Sequence, residues 1–298
     1  MKLATTTGDF ASYTSNQMEC MEYISQSGFK YIDYNFGIDY AQRSGIYGND
    51  FNNYIDSIKK QAEKLGVKLV QAHSPMGKPI ADDNSDFLKD TAKSIEACGL
   101  LGIKNIVIHS GYAPNLTIEE TFKRNKNLFF MPLLETAEKY GVNILIENFN
   151  KKSDIYWIDN APDLLKMVEY INHPLCHAIW DAGHGNMQEM SQDESLRILG
   201  KEVYALHIQD NMGNHDSHTA PFFGTMNLDS LMHGLIDIGY NGYFTFEASN
   251  VLIPASKRRP YPNDERLKIA PIEIKLKMEG LLYEIGKSIL SAYDCFEE

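Results

Sequence analysis

The sequence predicts a single (β/α)8 barrel that spans residues 1–298, and three observations support this fold. First, a glycine, a short apolar run and a metal-capable side chain recur in that order, ending at His73, His109, Glu147 and Glu247. Glycine after a helix supplies a left-handed cap, and the apolar run has the length of a strand. Second, Gly28, Gly66, Gly102 and Gly141 recur about once per βα unit. Third, strand and helix patterns alternate along the whole chain without a linker.

Eight strands are predicted from runs that are mostly continuously apolar, as in parallel strands buried on both faces. They lie at 2–6, 30–35, 68–73, 105–109, 143–147, 176–181, 203–208 and 243–247. Helices are predicted near 15–27, 51–65, 87–101, 117–140, 161–171, 188–199, 227–238 and 264–291. A doubly wound open sheet is the alternative topology. It is disfavoured because neither a glycine-rich phosphate fingerprint nor a P-loop follows the first strand.

Composition narrows the class of protein and of partner. The net charge of −12 argues against a nucleic-acid partner. The four cysteines form no CxxC pair, as expected of reduced thiols in the cytoplasm. The N-terminus has no apolar signal region, and no apolar run has the length of a membrane span. We therefore expect a cytoplasmic enzyme without a membrane partner, acting on a small molecule as a monomer or homo-oligomer.

Six consecutive predicted strands end in side chains that can bind metal. These are His73, His109, Glu147, Asp181 followed by His184, His207 and Glu247, and the loop after strand seven adds Asp216 and His218. A lone histidine on an apolar strand is more often a core residue, and a lone carboxylate often caps a helix. Six successive strand ends that meet at one barrel mouth instead predict a divalent-cation site. His173 and His177 flank the start of strand six and are interpreted as structural.

With these residues the chain resembles the xylose isomerase-like, endonuclease IV-like TIM-barrel superfamily of sugar isomerases, sugar epimerases and apurinic-site endonucleases. The resemblance implies a metal quartet of Glu147, Asp181, His207 and Glu247. It places the additional ligands of the endonuclease branch on His73, His109, His184, Asp216 and His218. Both sets are present, so the ligands alone do not separate the branches. Many members continue the strand-seven loop as Pro-Gly-x-Gly-x-Ile-Asp, whereas this chain has Pro221-Phe-Phe-Gly224-Thr-Met-Asn227.

The leading hypothesis is a metal-dependent isomerase or epimerase acting on a sugar, keto-sugar or sugar phosphate. Such a reaction removes a proton beside a carbonyl and needs an acid, a base and a cation that stabilises the enediolate. The resemblance implies that Glu147 and Glu247 are both ligands and proton carriers, and that His184 steers a substrate oxygen. No arginine follows His207 where ketose 3-epimerases carry one. A lyase that uses the same enolate stays open.

The identity of the metal depends on which of these candidate ligands bind it. The quartet alone predicts Mn²⁺, Mg²⁺ or Co²⁺. Metal binding by the histidine-rich set as well favours Zn²⁺ and a multinuclear cluster.

The second hypothesis is an apurinic-site endonuclease with three metals, which all nine candidate ligands favour. The balance of 28 basic to 40 acidic residues opposes it. The run Lys257-Arg258-Arg259 has two interpretations. It either binds a phosphate group or lies in a solvated loop or an oligomer contact. A third hypothesis, a non-catalytic sugar sensor or accessory subunit, leaves the intact ligand set unexplained.

Overall fold

A computed structural model describes residues 1–151, 155–252 and 266–298. Its strands are β1 Lys2–Thr6, β2 Tyr31–Asn35, β3 Lys68–His73, β4 Asn105–Ile108, β5 Asn143–Glu147, β6 Cys176–Asp181, β7 Val203–His207 and β8 Tyr243–Phe246. All paired strands are parallel, in the order β7-β6-β5-β4-β3-β2-β1-β8. The sheet closes where Ile208 N–H donates to the Thr245 carbonyl (2.8 Å) and Glu247 N–H donates to the Ile208 carbonyl (3.0 Å). The structure confirms the predicted (β/α)8 barrel.

The helices surround this barrel, and most lie at the predicted positions. Two begin later than predicted: the helix expected at 188–199 begins at 192, and the helix expected at 264–291 begins at 272, directly after Pro271, because the residue before a proline disfavours helix. They are α1 Gln17–Gln26, α2 Phe36–Gln42, α3 Phe51–Leu65, α4 Ser85–Leu101, α5 Ile118–Arg124, α6 Met131–Tyr140, α7 Ala161–Ile171, α8 Ala182–Gly185, α9 Gln192–Leu199, α10 Leu228–Asp237 and α11 Ile272–Ala292. A π-helical turn, Asn125–Phe130, joins α5 to α6. The short helices α2 and α8 were not predicted; each follows its strand directly and is capped by the last strand residue, Asn35 or Asp181.

Two helix ends show why a glycine precedes a strand. Gly66 and Gly102 lie just past α3 and α4 with φ of +67° and +77°, the left-handed conformation that favours glycine. A Cβ at either position would meet nothing within 4 Å. Backbone conformation, and not crowding, is therefore what requires glycine there.

The barrel interior is layered along the strands. A small apolar cluster lies on one side of it and consists of Val107, Leu145, Ile179 and Ala205, one from each of four neighbouring strands. Side chains on a strand alternate between its two faces, so the residue two positions later also points inward. Those later residues are His109, Glu147, Asp181 and His207. The apolar cluster thus forms the floor beneath the predicted ligands.

In the described parts of the chain, no helix is both long and apolar enough to cross a membrane. The basic run Lys257-Arg258-Arg259 lies outside the described residues.

Candidate metal centre

The predicted ligands meet at the C-terminal end of the barrel. His73, Glu147, Asp181 and His207 are the last residues of their strands, and His109 and Glu247 follow β4 and β8 directly. Their ligand atoms form three groups in which every pair of atoms lies within 4.8 Å. The groups are His73–His109–Glu147, then Glu147–Asp181–His207–Glu247, then His184–Asp216–His218. We call them the first group, the quartet and the third group; Glu147 belongs to the first two.

The quartet is built around one histidine nitrogen. His207 Nδ1 lies 2.6 Å from Glu147 Oε1 and 3.7 Å from Glu247 Oε2. Asp181 Oδ2 is buried and has no hydrogen-bond partner among the described residues. The side chain of Glu247 is 17% exposed, whereas those of Glu147 and His207 are buried. Glu247 is therefore the more accessible of the two glutamates to a molecule in the mouth.

Asp33, which the sequence analysis did not single out, orients His207 from below. Its Oδ2 lies 2.9 Å from His207 Nε2 and accepts a hydrogen bond from Gln71 Nε2 at 2.8 Å. The register of β2 against β3 shifts between Ile32 and Asp33, an irregularity of the kind that redirects side chains beside functional sites. A proton held on Nε2 by Asp33 leaves the Nδ1 lone pair for the quartet, as in carboxylate–histidine–metal triads.

Three further imidazoles share one arrangement. Nδ1–H of His73, His184 and His218 donates to the carbonyls of Ser74 (2.7 Å), Asn148 (2.8 Å) and Glu247 (2.9 Å), respectively. The Nε2 lone pair of each then faces a carboxylate oxygen. His73 Nε2 lies 3.5 Å from Glu147 Oε2; His184 and His218 Nε2 lie 3.3 and 3.1 Å from Asp216 Oδ2.

This donor set fits a divalent cation. An imidazole lone pair facing a carboxylate repels it unless a proton or a cation lies between them. Glu147 Oε2, which faces His73 and also His109 Nε2 (3.3 Å), is buried without a hydrogen-bond partner among the described residues. Mixed histidine nitrogens and carboxylate oxygens are ligands for Zn²⁺, Mn²⁺ and Co²⁺.

Without a cation, the local charges shift several pKa values. Burial raises the pKa of Asp181 to about 7. Burial by itself would raise the pKa of Glu147 as well. The charges of His207 and His109 outweigh burial and hold that pKa well below its usual range. Burial lowers the pKa of His184, yet Asp181 and Asp216 outweigh it and raise the pKa to about 9. The site therefore favours positive charge, which a bound cation supplies by displacing protons.

An aromatic wall, Phe149 and Tyr156, covers one side of the mouth. Their rings lie 4.6 Å apart, with Phe149 5.5 Å from the His184 ring and Tyr156 5.3 Å from the His109 ring. Tyr156 Oη accepts from Gly77 N–H (3.1 Å) and donates to the Gly77 carbonyl (3.0 Å). The wall thus ties the loop after β5 to the loop after β3.

Hydrogen bonds to Asp210 hold the altered loop after β7. Asp210 accepts from the N–H groups of Gly224 and Met226, both at 3.0 Å. A Cβ at Gly224 would lie 2.3 Å from the Asn211 carbonyl oxygen, so the close approach requires glycine. Asn227 caps α10 through Ser230 N–H, the role an aspartate can also perform. The departures from the family pattern therefore leave this loop anchored.

Some of the residues that the sequence analysis missed did carry a signal. Gln71 lies two residues before His73, so the two share a strand face. Asp33 is a carboxylate in the middle of a buried strand, where it needs a partner. Phe149 and Tyr156 lie in a loop without periodicity, and nothing in the sequence distinguishes them from core aromatics.

Comparison with known proteins agrees with the fold. A model of the family described as xylose isomerase-like TIM barrel matches residues 21–268. Fructoselysine 3-epimerase from Escherichia coli O157:H7 is 32% identical over 116 residues, 39% of this chain and 42% of the relative. A probable endonuclease 4 from Mesomycoplasma hyopneumoniae is 25% identical over 170 residues, 53% of this chain and 59% of the relative. The chain spans about half the length of the curated relatives it matches.

Solved structures share the fold over almost the whole chain. A structure of IolI protein with a bound zinc atom matches with a TM-score of 0.77, 18% identity and full coverage of both chains. A D-tagatose 3-epimerase-like protein matches with a TM-score of 0.74 and 20% identity, covering 98% of this chain and 100% of that one. The barrel and the family match lead to one conclusion: the chain belongs to the xylose isomerase-like TIM barrel family.

Proposed function

We propose that this protein is a metal-dependent isomerase or epimerase acting on a sugar or sugar derivative through an enediolate. The observation that carries the proposal is the position of two glutamates in one quartet, with Glu147 Oε1 and Glu247 Oε2 at 2.6 and 3.7 Å from His207 Nδ1. Two carboxylates beside one cation site provide the acid and the base that proton transfer next to a carbonyl needs. The resemblance to a fructoselysine 3-epimerase and to solved sugar epimerases supports this choice.

Each residue has a proposed part in the reaction. Glu247, the more exposed glutamate, exchanges a proton with the substrate carbon. Glu147, the buried glutamate of the quartet, is the second proton carrier. His184 orients a substrate oxygen from the third group. Glu147, Asp181, His207 and Glu247 would hold the cation, which supplies Lewis-acid stabilisation of the charge that develops at the carbonyl. We propose Mn²⁺, Mg²⁺ or Co²⁺ in the quartet and Zn²⁺ where the histidine-rich groups are filled as well.

Solvent exchange tests the proposal directly. The protein is loaded with Mn²⁺ or Co²⁺ and incubated in D₂O with a panel of ketoses, inososes, keto-glycosides and ketose phosphates. We expect deuterium to enter the substrate at the carbon next to the carbonyl, detected by mass spectrometry and NMR. The variant Glu247→Gln keeps an oxygen ligand and is expected to lose the exchange. Turnover of a panel sugar without any dependence on Glu147, Glu247 or metal would contradict the mechanism.

A phosphodiesterase is the second candidate, and one observation favours it. The first group and the quartet share Glu147, and the third group lies beside the quartet, with His184 Nδ1 3.6 Å from Asp181 Oδ2. This arrangement suits several cations acting together on one phosphate. Metal content and abasic-duplex cleavage distinguish the candidates. One equivalent of metal with sugar exchange supports the isomerase or epimerase. Three equivalents with cleavage that weakens steeply as salt rises support the nuclease.

A further inference from the structure

Gln209 lies between two of the ligand groups. It is fully buried, two residues after His207. Its Nε2 donates to Asp216 Oδ1 of the third group at 2.8 Å and lies 3.4 Å from Asp181 Oδ1 of the quartet. One amide thus contacts a carboxylate from each group, with its two N–H bonds available for the two contacts.

The other end of this side chain has no partner. Gln209 Oε1 is buried without a hydrogen bond among the described residues. Turning the amide over would bring this oxygen against two carboxylates, so the orientation is determined by charge. An unsatisfied buried carbonyl costs stability. The contacts of the nitrogen thus come at the expense of an unsatisfied oxygen at the other end of the same side chain.

A glycine leaves room for the amide. Gly183 lies in α8, and a Cβ there would be 2.1 Å from Gln209 Cδ and 2.4 Å from both Nε2 and Oε1. Any other residue at 183 would push the amide away from the two carboxylates. Gly183 and Gln209 thus form one packed unit between Asp181 and Asp216.

We propose that Gln209 is a positioning residue that couples cation binding at the quartet to cation binding at the third group. The inference rests on the proposed metal site in the form in which the histidine-rich groups are filled as well, so that His184 binds a cation and not a substrate oxygen. Asp216 Oδ2 faces His184 and His218 and accepts from Asn150 Nδ2 at 3.0 Å, which leaves Oδ1 for Gln209. A cation in the third group would fix the position of Asp216, and Asp216 would in turn fix the Gln209 amide. The second N–H of that amide would then orient the candidate ligand Asp181. Thermodynamic linkage makes the effect reciprocal.

Metal titration of the full-length protein tests the coupling. Mn²⁺ binding is followed by electron paramagnetic resonance and calorimetry, which report affinity independently of turnover. Gln209→Met removes the amide at nearly constant volume, and we expect it to weaken Mn²⁺ binding by about 10–100-fold, the usual effect of an outer-shell partner. Asp216→Asn, which weakens the third group, should lower the affinity of the quartet by roughly 5-fold or more in the native background.

The double variant decides between coupling and simple loss of a contact. If Gln209 transmits the effect, Asp216→Asn has no further influence on the quartet once Gln209→Met is present. Equal effects of Asp216→Asn in both backgrounds would overturn the proposal. Gly183→Ala, which displaces the amide and keeps every ligand, should reproduce Gln209→Met, and it provides the test if the methionine variant does not fold.

Gln192→Met is the matched control. Gln192 is also buried, but it bonds to Trp180 Nε1 (2.8 Å) and to the Ala182 carbonyl (2.7 Å) and contacts no candidate ligand. We expect it to lower the melting temperature of the metal-free protein without changing Mn²⁺ affinity. A native protein that binds no divalent cation would overturn the proposed function as well as the coupling. A native protein whose third group binds no cation, or normal binding that Gln209→Met leaves unaffected, would overturn the coupling alone.

Discussion

The two ends of the barrel both carry histidines beside carboxylates, but they satisfy them in different ways. At the N-terminal end, His173 Nε2 contacts Glu138 (3.1 Å) and its Nδ1 accepts from Leu175 N–H (3.2 Å). His177 contacts Glu202 (2.8 Å) and the Pro174 carbonyl (3.1 Å). Each ring nitrogen there has a hydrogen-bond partner of its own, and the two glutamates are exposed to water.

At the C-terminal end, the carboxylates that face histidines are less exposed, and some of their oxygens lack a hydrogen bond within the described parts of the chain. His73, His184 and His218 turn Nε2 toward buried or half-buried carboxylates, and oxygens of Glu147 and Asp181 have no hydrogen-bond partner among the described residues. The comparison shows that a histidine–carboxylate contact alone does not identify a metal site. The ends differ in the burial of the carboxylate, and a buried carboxylate that faces several imidazoles favours a cation site.

The largest expected effect concerns proton transfer. Glu247→Gln should reduce turnover of the sugar substrate by roughly 10²–10⁴-fold while part of the metal stays bound, because the amide can ligate but cannot accept the proton. Turnover and metal content are measured on the same samples. Glu202→Gln, at the opposite end, is the control and should change neither quantity. Unaltered turnover in Glu247→Gln would remove this glutamate from the reaction.

The next effect concerns the central ligand. His207→Ala deletes the nitrogen around which Glu147 and Glu247 converge. We expect Mn²⁺ affinity to fall by about 100-fold or more, since outer-shell changes alone cost 10–100-fold. Equilibrium dialysis with elemental analysis measures it. His177→Ala should retain full metal content, and equal losses in the two variants would erase the distinction between the ends.

A smaller loss is expected beneath the quartet. Asp33→Asn keeps the shape of the side chain but no longer holds His207 Nε2–H with a charged acceptor. Mn²⁺ affinity should fall by about 10–100-fold. The melting temperature of the metal-free protein should change little. Calorimetric titration and thermal unfolding separate the two quantities. A variant with native affinity would show that His207 is oriented by packing alone.

The metal-free protein should lose stability as pH rises. Burial lowers the pKa of His184 and His218, but neighbouring carboxylates outweigh it and raise the values to about 9 and about 10. Both lie above the value of about 6.5 in the unfolded chain. Their contribution is therefore complete below about pH 6.5 and is lost as pH rises through 9 and 10. Urea unfolding with chelator at pH 6, 8 and 10 measures the trend, which Asp216→Asn should weaken; stability that rises over this range would contradict it.

The smallest effect is expected at the N-terminal end. His177→Gln removes a contact with the half-exposed Glu202, and such pairs contribute about 0–1 kcal/mol. The free energy of unfolding from urea titration should change within that range, without any change in metal affinity. A much larger loss of unfolding free energy would mean that this pair stabilises the protein as much as the histidine–carboxylate pairs at the mouth.

The strands and the direction of their ligands follow from local sequence. Apolar runs between glycine caps predict all eight strands to within about a residue at each end, because burial on both faces demands continuous apolar side chains. Chain direction then puts the terminal His, Glu or Asp of each parallel strand at one end of the barrel. The candidate ligands at strand ends are therefore visible in sequence.

Only the tertiary structure decided how these ligands divide into groups and what orients them. Glu147 belongs to two groups, and Asp33 and Gln209 reach ligands 174 and 28 residues away in the chain. Their contacts depend on a register shift in β2 and on the space at Gly183. Sequence alone determined the fold and which residues come to the mouth, because periodicity and chain direction are local properties. Hydrogen-bond partners across the barrel depend on ångström-scale packing between distant strands, which no local pattern encodes.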